Sequence, residues 1–281
     1  MKDIIQNRLD NHYDTKIPED ELNALKEITQ EVALYALYKV GFFEKACFIG
    51  GTCLRIVHSL DRFSEDLDFS TRTIDPDFDL DAYLEKAMEV MKPYGYGLTI
   101  DEKDLTDKSV QSRFLKDDSI KKVLTFKHKQ DERQKIKIKV EIDTRPPSGA
   151  VDKVEYIDFP DDFQILAHDI PSLMSGKIHA LLCRSYTKGR DWYDFSWYVK
   201  NNYSPNLELL ENALKQLGPW KGQDIQLSET FLKEALIQKV RSLNWEDVKV
   251  DVRKFLNPLK AQSLDIWNTE FFESRVKKLK I

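Results

Sequence analysis

The feature that most narrows what this chain can be is an ordered pair of short motifs. Gly50-Gly51-Thr52 is followed, within the same stretch, by Asp66-Leu67-Asp68-Phe69-Ser70. The apolar run Ala46 to Ile49 predicts a short strand leading into the glycines. Thr52 to Leu60, with Leu54, Val57 and Leu60 inward, predicts a helix. Asp66 to Ser70 alternates polar and apolar residues, which is the strand period. Glycines between a strand and a helix let the backbone approach a ligand closely. The first N–H groups of the helix then favour an anion such as a triphosphate, and Thr52 adds a hydroxyl donor. On a strand, residues i and i+2 share one face. Asp66 and Asp68 therefore aim together, while Leu67 and Phe69 anchor the other side. Such carboxylates can hold two divalent ions about 3.5–4 Å apart, the spacing used for in-line displacement at phosphorus. A third acid is available from Lys139-Val140-Glu141-Ile142-Asp143, as Glu141 or Asp143. Alone, a Gly-Gly pair is usually a turn and an Asp-x-Asp is usually surface charge. The order strand, Gly-Gly-Thr, helix, acidic strand, second acidic strand is what carries the chemistry.

Composition points to the same kind of metal. The cysteines Cys47, Cys53 and Cys183 are odd in number and lack paired spacing, and the five histidines are scattered. That argues against a disulfide framework and a zinc site. Carboxylates must then hold any metal, which points to magnesium or manganese. With 41% apolar and 32% charged residues over 281 positions, a sizeable core is expected. A net charge of −5 argues against a general nucleic-acid coat protein. The locally basic stretches Lys127 to Lys139 and Arg275 to Lys280 are either solvated faces or a local phosphate-binding surface. No run approaches the roughly 18 apolar residues of a membrane span, and Met1 to Asp10 has no secretory character. A soluble cytoplasmic protein is expected.

The periodicities predict an α+β front half, residues 1–165, and a helical half, residues 166–281, with the change between Pro160 and Pro171. A long helix runs from Pro18 to Val40, with Asp14 and Thr15 as its start signal, and stops at Gly41. Another covers Asp79 to Lys92. The region from Tyr96 to Ile142 is extended, with alternation over Lys121 to Lys127 and Lys135 to Ile142. Pro146-Pro147-Ser148-Gly149 ends that run. Helices are then expected over Ser172–Arg184, Asp191–Lys200, Leu207–Leu217, Glu229–Val240 and Ser263–Leu279, with Trp192, Tyr193 and Trp197 in the core.

Four blocks resemble the polymerase-beta superfamily of nucleotidyltransferases, and more closely the AbiEii/AbiGii-type toxins of bacterial abortive infection and type IV toxin–antitoxin systems. They are Gly50-Gly51-Thr52; Arg62-Phe63-Ser64-Glu65-Asp66-Leu67-Asp68-Phe69; Val140-Glu141-Ile142-Asp143-Thr144-Arg145; and Lys177-Ile178-His179-Ala180 with Arg190-Asp191-Trp192-Tyr193-Asp194. The resemblance implies a polymerase-beta-like core with a mixed sheet and a helical C-terminal half that completes the active site. It implies that Gly50, Gly51 and Thr52 meet the triphosphate, and that Asp66 and Asp68 hold Mg2+ (or Mn2+). Glu141 falls at the third acidic position, where many relatives carry Asp, so Asp143 stays open. Lys177 matches a lysine that neutralises phosphates, and Asp191 a second essential acid. From the residues alone, Lys177 could be a solvated helix lysine and Asp191 a helix cap. Arg62 and Ser64 could bind phosphate, orient the acidic strand or form a plain turn, and Arg145 could support the strand or meet substrate.

The function so implied is transfer of NMP from an NTP to an acceptor hydroxyl, with tRNA or another RNA as acceptor and a nearby-encoded antitoxin as partner, in phage defence. Two other readings stay open: a kinase-like phosphotransferase modifying a protein, and a non-catalytic nucleotide-binding partner.

Overall fold

The computed structural model describes residues 2–102, 109–128 and 135–281. The middle of the basic Lys127–Lys139 stretch, at 129–134, lies outside them. The chain divides into two compact units. The first comprises Met1–Ser59, Phe63–Pro146 and Val154–Ala167; the second comprises Leu60–Arg62, Pro147–Lys153 and His168–Ile281.

The first unit begins with helices α1 (Lys2–His12) and α2 (Pro18–Lys39). Pro18 opens α2 as expected of a residue whose missing N–H costs nothing at a helix start. The start signal differs from the expected one. Ile17 is the capping position without a side-chain bond, and Thr15 instead meets the Lys127 ammonium (3.1 Å) and His128 Nε2. Gly41, at φ 77°, ends the helix in the left-handed region. Then follow β1 (Ala46–Ile49), α3 (Gly50–Ile56), β2 (Asp66–Thr71) and α4 (Leu80–Met91). Helix α3 starts at Gly50 and is shorter than the expected Thr52–Leu60, since Ser59 turns to φ 57°. The strands β3 (Leu98–Glu102), β4 (Val110–Asp117), β5 (Ile136–Asp143), β6 (Asp152–Ile157) and β7 (Phe163–His168) complete the unit's sheet.

The expected strand over Lys121–Lys127 is not formed. A 3-10 turn occupies Ile120–Lys122, and the backbone N–H groups of Lys127 and His128 donate to the buried Glu21 carboxylate at 2.7 and 3.1 Å. Those donors are satisfied by an acid, so no neighbouring strand is needed.

The sheet is mixed, in the order β3-β4-β5-β2-β1-β7-β6. Strand β2 lies between β1 (antiparallel) and β5 (parallel), so the acidic strand is central. Its apolar side is buried in an aromatic cluster: Phe69 packs edge-on to Phe42 at 4.8 Å and beside Phe48 at 5.4 Å. Phe42 in turn meets Phe78 and Tyr83.

The second unit carries α5 (Ile170–Cys183), α6 (Gly189–Lys200), α7 (Leu207–Gln216), α8 (Glu229–Arg241), α9 (Trp245–Arg253), the short α10 (Pro258–Ala261) and α11 (Thr269–Lys278). Helix α5 packs on α6, α7 and α8, and α6 on α9 and α11. Trp192 is the hub, with Trp245, Phe272 and Phe195 edge-on around it. Tyr193 and Trp197 are half-buried. No helix among the described residues is long and apolar enough to cross a membrane.

Candidate active site

Strand register builds an acidic face in the first unit. Asp68 is in register with Ile49 on β1 and with Glu141 on β5, and Glu141 with Ser112 on β4. One step along, Asp66 is in register with Lys139, and Lys139 with Phe114. Residues in register on neighbouring strands of a sheet share a face. Asp66, Asp68 and Glu141 therefore share one face and are half-buried, while Leu67, Phe69, Val140 and Ile142 lie buried on the other. The Lys139 ammonium sits 2.5 Å from Glu141 Oε2. Asp143 is a step farther along, in register with Ser70, and its Oδ1 accepts from the Arg145 N–H at 2.8 Å.

The glycine turn is built against this face. Gly50 adopts φ +81°, and a Cβ there would lie 2.8 Å from Asp68 Cβ and closer still to its carboxylate. Only glycine permits both that backbone and that approach. Gly51 is buried in the first turn of α3. Thr52 is fully buried, and its hydroxyl donates to the Asp66 carbonyl. That proton is therefore committed to holding the acidic strand. Helix α2 steadies the neighbouring segments: Gln30 Nε2 donates to the Ser64 carbonyl at 3.1 Å, Lys26 pairs with Glu65 at 3.3 Å, and Glu27 accepts from Arg55 at 2.8 Å.

In the helical unit, a second set of charges is packed inside. Arg62 is 1% exposed and forms two 2.6 Å bonds to the fully buried Asp194. Lys177 Nζ reaches Asp194 at 2.8 Å and Asp191 at 3.0 Å, and Arg184 also donates to Asp191. Three cations thus face two carboxylates, an excess of one positive charge. Burial alone would raise the Asp191 pKa, but Lys177, Arg184 and Arg62 together hold it at about 2. Burial would likewise lower that of Lys177, yet Asp191 and Asp194 push it above the ordinary lysine range. A lysine so placed stays charged.

The sequence model for the AbiEii toxin nucleotidyl transferases of type IV toxin–antitoxin systems matches residues 32–270. The chain belongs to the AbiEii family. It is accordingly a nucleotidyltransferase of a toxin–antitoxin system, and membership implies a nucleotide substrate and a cognate antitoxin. Two solved Helicobacter pylori structures share the fold. One is a provisionally assigned nucleotidyltransferase, 19% identical with a TM-score of 0.50, the match covering 90% of this chain and 97% of that one. The other, JHP933, is 20% identical at the same TM-score, covering 90% and 94%. No curated protein matches the chain by sequence.

Among the residues singled out by the AbiEii resemblance, Asp66, Asp68 and Glu141 share one face of the sheet, with Gly50 against Asp68 and Thr52 bonded to the Asp66 carbonyl. Arg62, Lys177 and Asp191 meet within the helical unit, and Ser64 offers its carbonyl to Gln30. Sequence reasoning gave no role to Asp194, Arg184, Lys139 or Ser112. Asp194 was within reach: it is three residues after Asp191, hence on the same helical face, in a stretch otherwise packed as core. Lys139 was within reach too, two residues before Glu141 on a predicted strand and so on its face; Arg184 and Ser112 matter through helix packing and register, which no local spacing signals.

Proposed function

We propose that the chain transfers a nucleoside monophosphate from a nucleoside triphosphate to the hydroxyl of an RNA, with tRNA the leading acceptor, using divalent cations held by Asp66, Asp68 and Glu141. The observation that carries the reading is the register of Asp68 with Glu141 on adjacent parallel strands, with Asp66 on the same face. The residues fit Mg2+ or Mn2+. The donor set is all oxygen, as hard cations prefer, it is half-exposed, and an ammonium already rests against Glu141. Bound there, the cations would neutralise charge on the phosphates and favour ionisation of the attacking hydroxyl. Gly50 keeps the turn close to Asp68, and Thr52 fixes the backbone of Asp66. Lys177 of the helical half, kept charged by Asp191 and Asp194, is the group we assign to the nucleotide's phosphates. The chemistry is then mainly positioning and charge neutralisation.

The test is incubation with each α-labelled triphosphate, Mg2+ and total bacterial RNA, beside an Asp66→Ala, Asp68→Ala variant. Label on RNA from the wild type alone is the expected result and gives the base preference. Label on protein instead would refute the RNA acceptor, and no α-label transfer beside transfer from a γ-labelled triphosphate run in parallel would replace nucleotidyl transfer with phosphoryl transfer.

A further inference from the structure

The acidic face holds two groups that neither the family match nor the mechanism above employs. Lys139 lies two residues before Glu141 on β5, so their side chains share a face, and its ammonium is bonded to Glu141 Oε2 at 2.5 Å. Ser112 lies across from Glu141 on β4, in register, on the same face. It is completely buried, and its hydroxyl has no hydrogen-bond partner. An unpaired buried hydroxyl costs about 1–3 kcal/mol, so a native chain carrying one at a ligand face calls for an explanation. Directly opposed residues have Cβ atoms about 4.5–5.5 Å apart, which puts the Ser112 hydroxyl within a rotamer change of the Glu141 carboxylate.

We propose that Glu141 exchanges partners when cations bind, giving up Lys139 and accepting a hydrogen bond from Ser112. In the metal-free protein, Lys139 is the resident counter-ion. It neutralises Glu141 beside Asp66 and Asp68 and limits the repulsion among three like charges. A cation on the carboxylates repels that ammonium, and Lys139 moves away. Glu141 is then left as a ligand whose orientation needs a donor from behind, the usual arrangement for a metal-bound carboxylate. Ser112 supplies it. Both are positioning residues. The inference rests on the metal site proposed above.

The experiment is a titration of the purified full chain with Mn2+ at low salt, with free Mn2+ read from its paramagnetic resonance signal. Lys139→Met should bind Mn2+ about tenfold more tightly, because the competing charge is gone. Lys139→Arg, which keeps the charge, should stay within about twofold of wild type. Ser112→Ala should bind about tenfold more weakly, as for other supporting partners, while the metal-free protein melts no lower than wild type because its hydroxyl made no bond there. Asp68→Asn separates the two claims. If it binds Mn2+ as well as wild type, the metal site itself is wrong and the exchange falls with it. If Asp68→Asn abolishes binding but Lys139→Met and Ser112→Ala both remain within twofold of wild type, the partner exchange is refuted and the site stands.

Discussion

Asp194 is fully buried between Arg62 and Lys177, and replacing it with asparagine tests whether these charges hold the helical unit together. Asn has the same shape, so packing is nearly unchanged and the substitution isolates charge. The set of three cations and two carboxylates becomes three cations and one. Removing one partner from a buried ion pair costs about 3–5 kcal/mol. Asp194 serves two cations through three bonds of 2.6, 2.6 and 2.8 Å, so the upper part of that range applies. All five tryptophans, at 192, 197, 220, 245 and 267, belong to the helical unit, so their fluorescence follows its unfolding selectively. At a urea slope of about 3 kcal/mol/M, the midpoint should fall by roughly 1.3–1.7 M. Arg62→Met adds a control. It swaps the guanidinium for an apolar group of related length, and in the double variant the surplus charge is smaller. The double variant should therefore be less damaged than the sum of the two singles, by at least about 1 kcal/mol. A loss under about 1 kcal/mol in Asp194→Asn, the size of a surface pair, would refute the reasoning. So would strict additivity.

Gly50→Ala combines a left-handed backbone, costing about 1–2 kcal/mol, with a collision against Asp68; nucleotidyl transfer should fall at least about 100-fold while circular dichroism keeps the wild-type shape. Thr52→Val leaves the Asp66 carbonyl without its hydroxyl donor, and thermal unfolding should report a loss of about 1 kcal/mol, the net worth of one hydrogen bond. The Asp191 pKa of about 2 lies below the ordinary 3.8, so its contribution is complete above about pH 4 and is lost as pH falls through 2. That difference corresponds to about 2 kcal/mol, and Asp191→Asn should flatten the acid limb of stability against pH; an unchanged limb would count against the network.

What was legible in the sequence was whatever the chain encodes locally. The β1–α3–β2 order and the long α2 follow from short-range periodicity and from Gly41 and Gly50, whose conformations no other residue adopts comfortably. The helices of the second half were legible because their apolar residues recur on one face, though α9, only nine residues long and rich in charge, was missed. Strands β6 and β7 were missed for related reasons. Asp152–Ile157 is half exposed at the sheet edge and so shows little apolar alternation, and in Phe163–His168 the apolar Leu166 between buried Ile165 and Ala167 blurs the alternation. The Lys121–Lys127 alternation misled because its backbone donors are taken by Glu21, a partner remote in sequence. Glu141 and Asp143 could not be separated by spacing, since both share a face. Register separates them, because Glu141 alone stands opposite Asp68.

The two sets of charged residues also differ in what their burial allows. Asp66, Asp68 and Glu141 are half-exposed, so solvent can stabilise them until a ligand arrives. Arg62 and Asp194 are sealed, and any ligand binding Arg62 would have to displace a carboxylate held by two short bonds, leaving that acid buried beside Lys177. Breaking such a pair is costly, whereas a phosphate offered to Arg62 would return little more than Asp194 already provides. The geometry therefore favours a holding role for Arg62 over the phosphate contact that its place in the motif suggests. Arg62 stands four residues before Asp66 in the chain, and Gln30 fixes the intervening Ser64 carbonyl. The approach to the acidic strand is thus tied at both points by polar bonds, the one at Arg62 buried.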